Sequence, residues 1–190
     1  MIEDIEIIDP YADRGLAPRV GLTLATFDEV KKAEDLLGAS FPDGYREFVT
    51  ALGKGTYYGW NTAIKVLMPS EILSGNKDRQ EFLSEYWFWE RSEDILPKNE
   101  AIESIAMCDN DIGDVVIFHP DAPEKLFVLP HEEESALLIG TNLTEAIDWL
   151  VECGREATGA EAGTHVRRAF VPFNQFVQTQ LVIPPKGVYE

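Results

Sequence analysis

The stretch Asp35–Trp60, DLLGASFPDGYREFVTALGKGTYYGW, passes from one helical pattern through a second and into strand-like sequence. Just upstream, Phe27, Val30, Ala33 and Leu37 recur at helical spacing. Thr26 with Glu29 three residues on has the form of a capping box, and Gly38 can adopt the left-handed conformation that ends a helix. A second helix is predicted to open near Pro42 or Asp43. In it Tyr45, Phe48, Val49 and Leu52 fall at i, i+3, i+4 and i+7, and Gly53 stops it. The short GASFP connection predicts an angled helical hairpin.

Working outward, TYYGW and AIKVLM carry the aromatic and β-favouring residues of strands. Pro69-Ser70 closes the second run and starts a short helical turn through SEIL. Residues 76–94, NKDRQEFLSEYWFWERSED, predict a helix with Phe82, Tyr86 and Trp89 along one face. Its end is open, because Trp87 and Trp89 also alternate as in a strand. SIAMC, DVVIF and KLFVL then follow at short intervals, an expected antiparallel meander joined by DNDIG and HPDAPE. After the acidic loop PHEEES comes a further strand, ALLIG. Asn142 is placed to cap a closing helix, with Glu145 in the capping-box position and Leu143, Ile147, Leu150 and Val151 facing inward. Segregated helices and sequential strands predict an α+β fold rather than a doubly wound parallel sheet. We expect a domain over 1–154. Residues 155–164 read as a linker or loose helix, and 155–190 as an extension. The apolar sequence from His165 to Pro185 predicts that this extension rests on the domain or on a second copy, which leaves a homodimer open.

The 190 residues are 45% hydrophobic, enough for a sizeable core. No apolar run approaches the roughly 20 residues of a membrane helix. The acidic opening MIEDIEIIDPYADRG lacks the basic-then-apolar pattern of a secretory signal. Cys108 and Cys153 form no CxxC pair and read as reduced thiols of a cytoplasmic protein. The formal charge of −18 repels phosphate backbones and argues against direct nucleic-acid binding. Solubility alone accounts for it, or an electrostatic match to a basic partner does, and charge by itself does not separate the two.

The stretch CDNDIGDVVIFHP, Cys108–Pro120, gathers Asp109, Asp111 and Asp114. As a calcium loop counted from Asp109 it fails three ways: glycine falls fifth, position twelve is Pro120, and strands flank it. Its Asp, Asn and Gly content is that of a strand-connecting turn, which outweighs a catalytic acid pair. His119, His131 and His165 are scattered without zinc-ligand spacing. There is no GxSxG elbow, and in GKGTYYG no GK[ST] follows to open a helix. No metal, cofactor or catalytic set is expected. A hydrolase built on Asp109, Asp111 or Asp114 with His119 is the least favoured reading. Tyr86, Trp87, Phe88 and Trp89 cannot all point inward from one helix, so some of them should lie near the surface as interface anchors.

Taken together, DLLGASFPDGYREFVTALGKGTYYGW resembles the opening signature of the SUKH superfamily, the Smi/Knr type. Leu37, Gly38, Pro42, Tyr45, Phe48, Gly53 and Gly55 carry the match. IKVLMPSEIL, IAMCDNDIGDVVIFHP and ALLIGTNLTEAIDWLV resemble its later blocks in order, from about Thr26 to Cys153. Lys54 interrupts the first glycine pair, and the sequence from Arg155 has no counterpart. The resemblance implies an α+β fold with a mixed or largely antiparallel sheet, flanking helices and no cofactor. In bacteria it implies an immunity protein that binds a cognate toxin, often a nuclease. In fungi it implies a regulator of cell-wall synthesis acting through protein contacts, the alternative reading here. With the acidic charge, it leads us to expect a basic toxin domain as partner and no membrane. Asp109, Asp111, Glu132, Glu133 and Glu134 are the candidate steering acids, and Trp60, Trp87 and Trp89 the candidate anchors.

Overall fold

The computed structural model describes residues 5–8, 22–60, 62–157 and 168–173. Helix α1 spans Phe27–Leu37. Its capping box forms as expected: Thr26 Oγ1 accepts from the Glu29 N–H at 3.2 Å, and the Glu29 carboxylate accepts from the Thr26 N–H at 2.7 Å. Gly38 ends the helix in the left-handed region, φ 66°. Val30 and Ala33 are buried, whereas Phe27 in the first turn is exposed. Helix α2, Tyr45–Ala51, starts later than Pro42 or Asp43, because Gly44 takes φ 84° at the cap. The predicted stripe of Tyr45, Phe48, Val49 and Leu52 is wholly buried. α1 makes more contact with helix α3 (Pro69–Glu85) than with α2, so the expected hairpin is not its main packing unit.

Strands β2 (Gly55–Gly59) and β3 (Thr62–Val66) follow, and then α3. The sequence suggested a turn and a separate helix; the structure has one helix, begun by Pro69 and closed where the Tyr86 N–H reaches Phe82 O. Ile72 and Leu83 bury its inner face, and this packing carries the helix across Gly75. The chain then leaves helical geometry at the aromatic block and makes a 3-10 turn at Glu90–Ser92. A short helix α4, Lys98–Glu103, was not foreseen.

The meander is β4 (Ile105–Asn110), β5 (Val115–His119) and β6 (Ala122–Leu129), extended by β7 (Leu137–Gly140). Helix α5, Leu143–Ala157, then buries Leu143, Ile147, Leu150 and Val151. Strand β8, Arg168–Pro172, lies between β2 and a two-residue β1, Glu6–Ile7. The eight-stranded sheet runs β1-β8-β2-β3-β4-β5-β6-β7, antiparallel throughout except for the parallel β1–β8 pair. The fold is α+β with a mixed sheet. Of the predicted extension, the stretches 158–167 and 174–190 lie outside the described residues.

The core runs along the sheet. Tyr45 stacks on Phe41, ring centroids 4.1 Å apart, and its hydroxyl donates to Leu67 O at 2.8 Å. Phe48 meets Phe170 of β8 edge to face at 6.0 Å. Gly55 is required where it stands, because a Cβ there would strike the Phe170 ring.

Candidate functional site

The Asp109–Asp114 segment is a turn, and its hydrogen bonds show why these residue types occupy it. The Asn110 side chain donates to one Asp114 carboxylate oxygen at 2.9 Å and accepts the Asp114 N–H at 2.8 Å. Gly113 sits at φ 99°, a conformation that disfavours side chains. The other Asp114 oxygen accepts the His131 N–H at 2.8 Å, so this buried carboxylate fastens the turn to the loop after β6. Asp111 fastens it on the other side. Its carboxylate accepts the Ala63 N–H at 3.1 Å, and its own N–H donates to Ala63 O at 3.0 Å. Asp111 remains exposed and stands beside the β2–β3 turn that carries Trp60.

The loop Pro130–Ser135 is in turn tied to the aromatic block. Trp89 Nε1 donates to Pro130 O at 2.9 Å, and the Arg91 N–H donates to Glu134 O at 3.1 Å. Arg91 Nε also pairs with the Glu134 carboxylate at 2.9 Å. Ser92 Oγ accepts the Ala136 N–H. A continuous rim therefore runs from the Trp60 turn through Asp111 and the His131–Glu134 loop to Trp87–Arg91. Asp111, Glu132, Glu133 and Glu134 are exposed on it, and Trp60 and Trp87 are half-buried. Trp89 is 8% exposed and meets Trp87 and Phe88 edge to face, so it supports its neighbours and has little surface of its own to offer.

Asp109 stands apart from the rim. It pairs across the sheet with Lys65 and lines a cavity of about 230 Å³ beneath α3, with Glu71, Asn76 and Arg79. Burial raises its pKa, against the opposing pull of Lys65 and Arg79. Burial would raise Glu71 too. There the Met68 N–H at 2.9 Å, Lys54 at 3.0 Å and Lys65 at 3.5 Å outweigh it and hold the carboxyl below its usual range. Among the described residues no group of three or more His, Cys, Asp or Glu is arranged to hold a metal ion. No helix there is long and apolar enough to cross a membrane.

The SMI1/KNR4 family (SUKH-1) matches residues 24–149. The chain belongs to the SMI1/KNR4 family. No curated protein matches it. In this SUKH-1 chain the motif residues serve as scaffold: Tyr45 and Phe48 are core, Gly38 ends α1, and Gly53 takes φ 74° against the Thr23 backbone. Family membership supports a protein-binding role in general, of the immunity or regulatory kind. The matched residues 24–149 span the rim loop and the aromatic block as well. There the sequence names Trp87 and Trp89, of which Trp87 is half-buried and Trp89 buried, whereas Phe82, Tyr86 and Phe88 are the exposed rings. Four large aromatics in succession were the available signal; which of them faced outward was not in the pattern.

Proposed function

We propose that this SUKH-1 chain is a non-enzymatic immunity module that neutralises a basic toxin domain by direct contact in the cytoplasm. The observation that carries this reading is the rim of exposed carboxylates, Asp111, Glu132, Glu133 and Glu134, on a chain of net charge −18. Opposite charges raise association rates and favour a partner whose own surface is built to grip phosphate. Catalysis finds little support. Asp114 is occupied by hydrogen bonds, and β5 separates it from His119 by roughly 15 Å of extended strand.

The test is co-expression with the products of the neighbouring reading frames, followed by binding kinetics at several salt concentrations. Growth should be rescued and a stoichiometric complex recovered. Replacing Asp111, Glu132 and Glu133 by their amides should slow association and flatten its salt dependence. Rescue without physical association would overturn the binding mechanism. Failure both to bind and to rescue would turn the reading to the fungal-type regulatory scaffold.

A further inference from the structure

We propose that the segment from the last turn of α3 through Ile95 is the docking platform for the basic protein partner, a step that rests on the binding role above. Phe82, Tyr86, Phe88 and Ile95 are 54%, 64%, 44% and 44% exposed. Four large apolar side chains left in water within one short stretch is the composition of an interface centre. The surface is held ready by what lies beneath it. Trp89 is buried, bonded through Nε1 to Pro130 O, and holds the Phe88 ring edge-on at 5.8 Å. The Phe82 and Tyr86 rings brace one another at 5.6 Å. Rings ordered before contact lose little freedom on binding.

Charge decides the kind of occupant. Glu81, Glu85, Glu90, Glu93 and Asp94 interleave with the rings in sequence and are exposed; Glu81 pairs with Lys77, and the one cation between Glu81 and Ile95, Arg91, is paired with Glu134. The last turn of α3 holds no basic residue of its own, and Lys98 of α4 donates to Ser84 O there at 3.0 Å, so the acidic border rests on the side-chain carboxylates and not on the helix end. An apolar centre in an acidic border fits a protein surface on which arginine or lysine alternates with apolar side chains. Guanidinium groups can lie over Tyr86 or Phe88, and their charge then meets the surrounding carboxylates. The platform joins the Glu134 end of the rim, so steering acids and anchors form one surface.

The experiment uses the full chain and the basic products of the neighbouring reading frames, read by binding kinetics and by amide hydrogen exchange of 82–95. Tyr86→Ala with Phe88→Ala should speed dissociation roughly 10-fold or more, with the melting temperature near that of the parent because both rings are exposed. Glu85→Gln, Glu90→Gln and Glu93→Gln together should slow association and weaken its salt dependence. They should do so by more than an equal charge change at Asp35, Glu47 and Glu124 on α1, α2 and β6. Residues 82–95 should gain protection in the complex. A complex that leaves 82–95 unprotected and is indifferent to the ring variants overturns the platform while the binding role stands. No association by the intact chain overturns both.

Discussion

Glu71 shows how a single carboxylate can serve two elements. It caps the start of α3 through the Met68 N–H and pairs with Lys54 and Lys65 from the sheet side. Because its pKa lies below the ordinary value of 4.5, its stabilising contribution is present above that value and is lost as pH falls through the lowered one. Glu71→Gln should therefore cost about 1–2 kcal/mol at pH 7, and the difference from the parent should narrow at pH 3. Urea titrations of both proteins at the two pH values measure it. The two cysteines should be inert. Cys108 is buried, and Cys153 is pushed up to about 11 by burial and then by Asp114, Glu156, Glu133 and Glu152. At pH 8 only about one Cys153 in a thousand is thiolate. Intact-mass measurement after iodoacetamide should find the native protein essentially unmodified and the urea-denatured protein modified twice.

Among the elements, β8 depends most on distant sequence. It is held between β1 and β2, and its Phe170 is fully buried against Phe48. Phe170→Ala should cost about 3–5 kcal/mol, read from chemical denaturation. A cost under about 1 kcal/mol would mean that β8 contributes little to the fold. Gly53 tests the α2 exit. An alanine there would hold φ near 74° and drive its Cβ into the Thr23 backbone, so Gly53→Ala should destabilise by more than about 1 kcal/mol. Gly38 is the contrast, since a Cβ at its position meets nothing. Its substitution should cost only the left-handed strain. α1, α2 and α5 were legible because each has one buried stripe and a local start or stop signal. α3 was divided by its Gly75, and α4 is too short to show a period.

At the scale of the whole molecule, net charge −18 places like charges against one another over the surface. Folding brings them closer together than in the unfolded chain, so added salt should stabilise the free protein by screening. The melting temperature at pH 8 should rise between low and physiological sodium chloride, measured by differential scanning calorimetry. The same salt should weaken the complex with the basic partner proposed above. Opposite responses of fold and complex would trace both effects to one charge distribution. An unchanged melting temperature would mean that self-repulsion is not a significant burden on the native state.

What the sequence determined by itself was everything set by near neighbours. The capping box at Thr26, the stripe from Tyr45 to Leu52, the Asp109–Asp114 turn before β5 and the ordered family motifs are all local in origin. Motif order also carried the family, and with it a protein-binding role in general. Only the tertiary structure decided which side chains of one dense aromatic block would meet solvent. Pro130 O takes the Trp89 indole inward, and Phe82, Tyr86 and Phe88 are left outside. It likewise turned Asp109 under α3 and inserted β8 beside β2. These outcomes depend on partners far away along the chain. A residue's own type and spacing state that it must be buried or bonded, but not which distant group will do it.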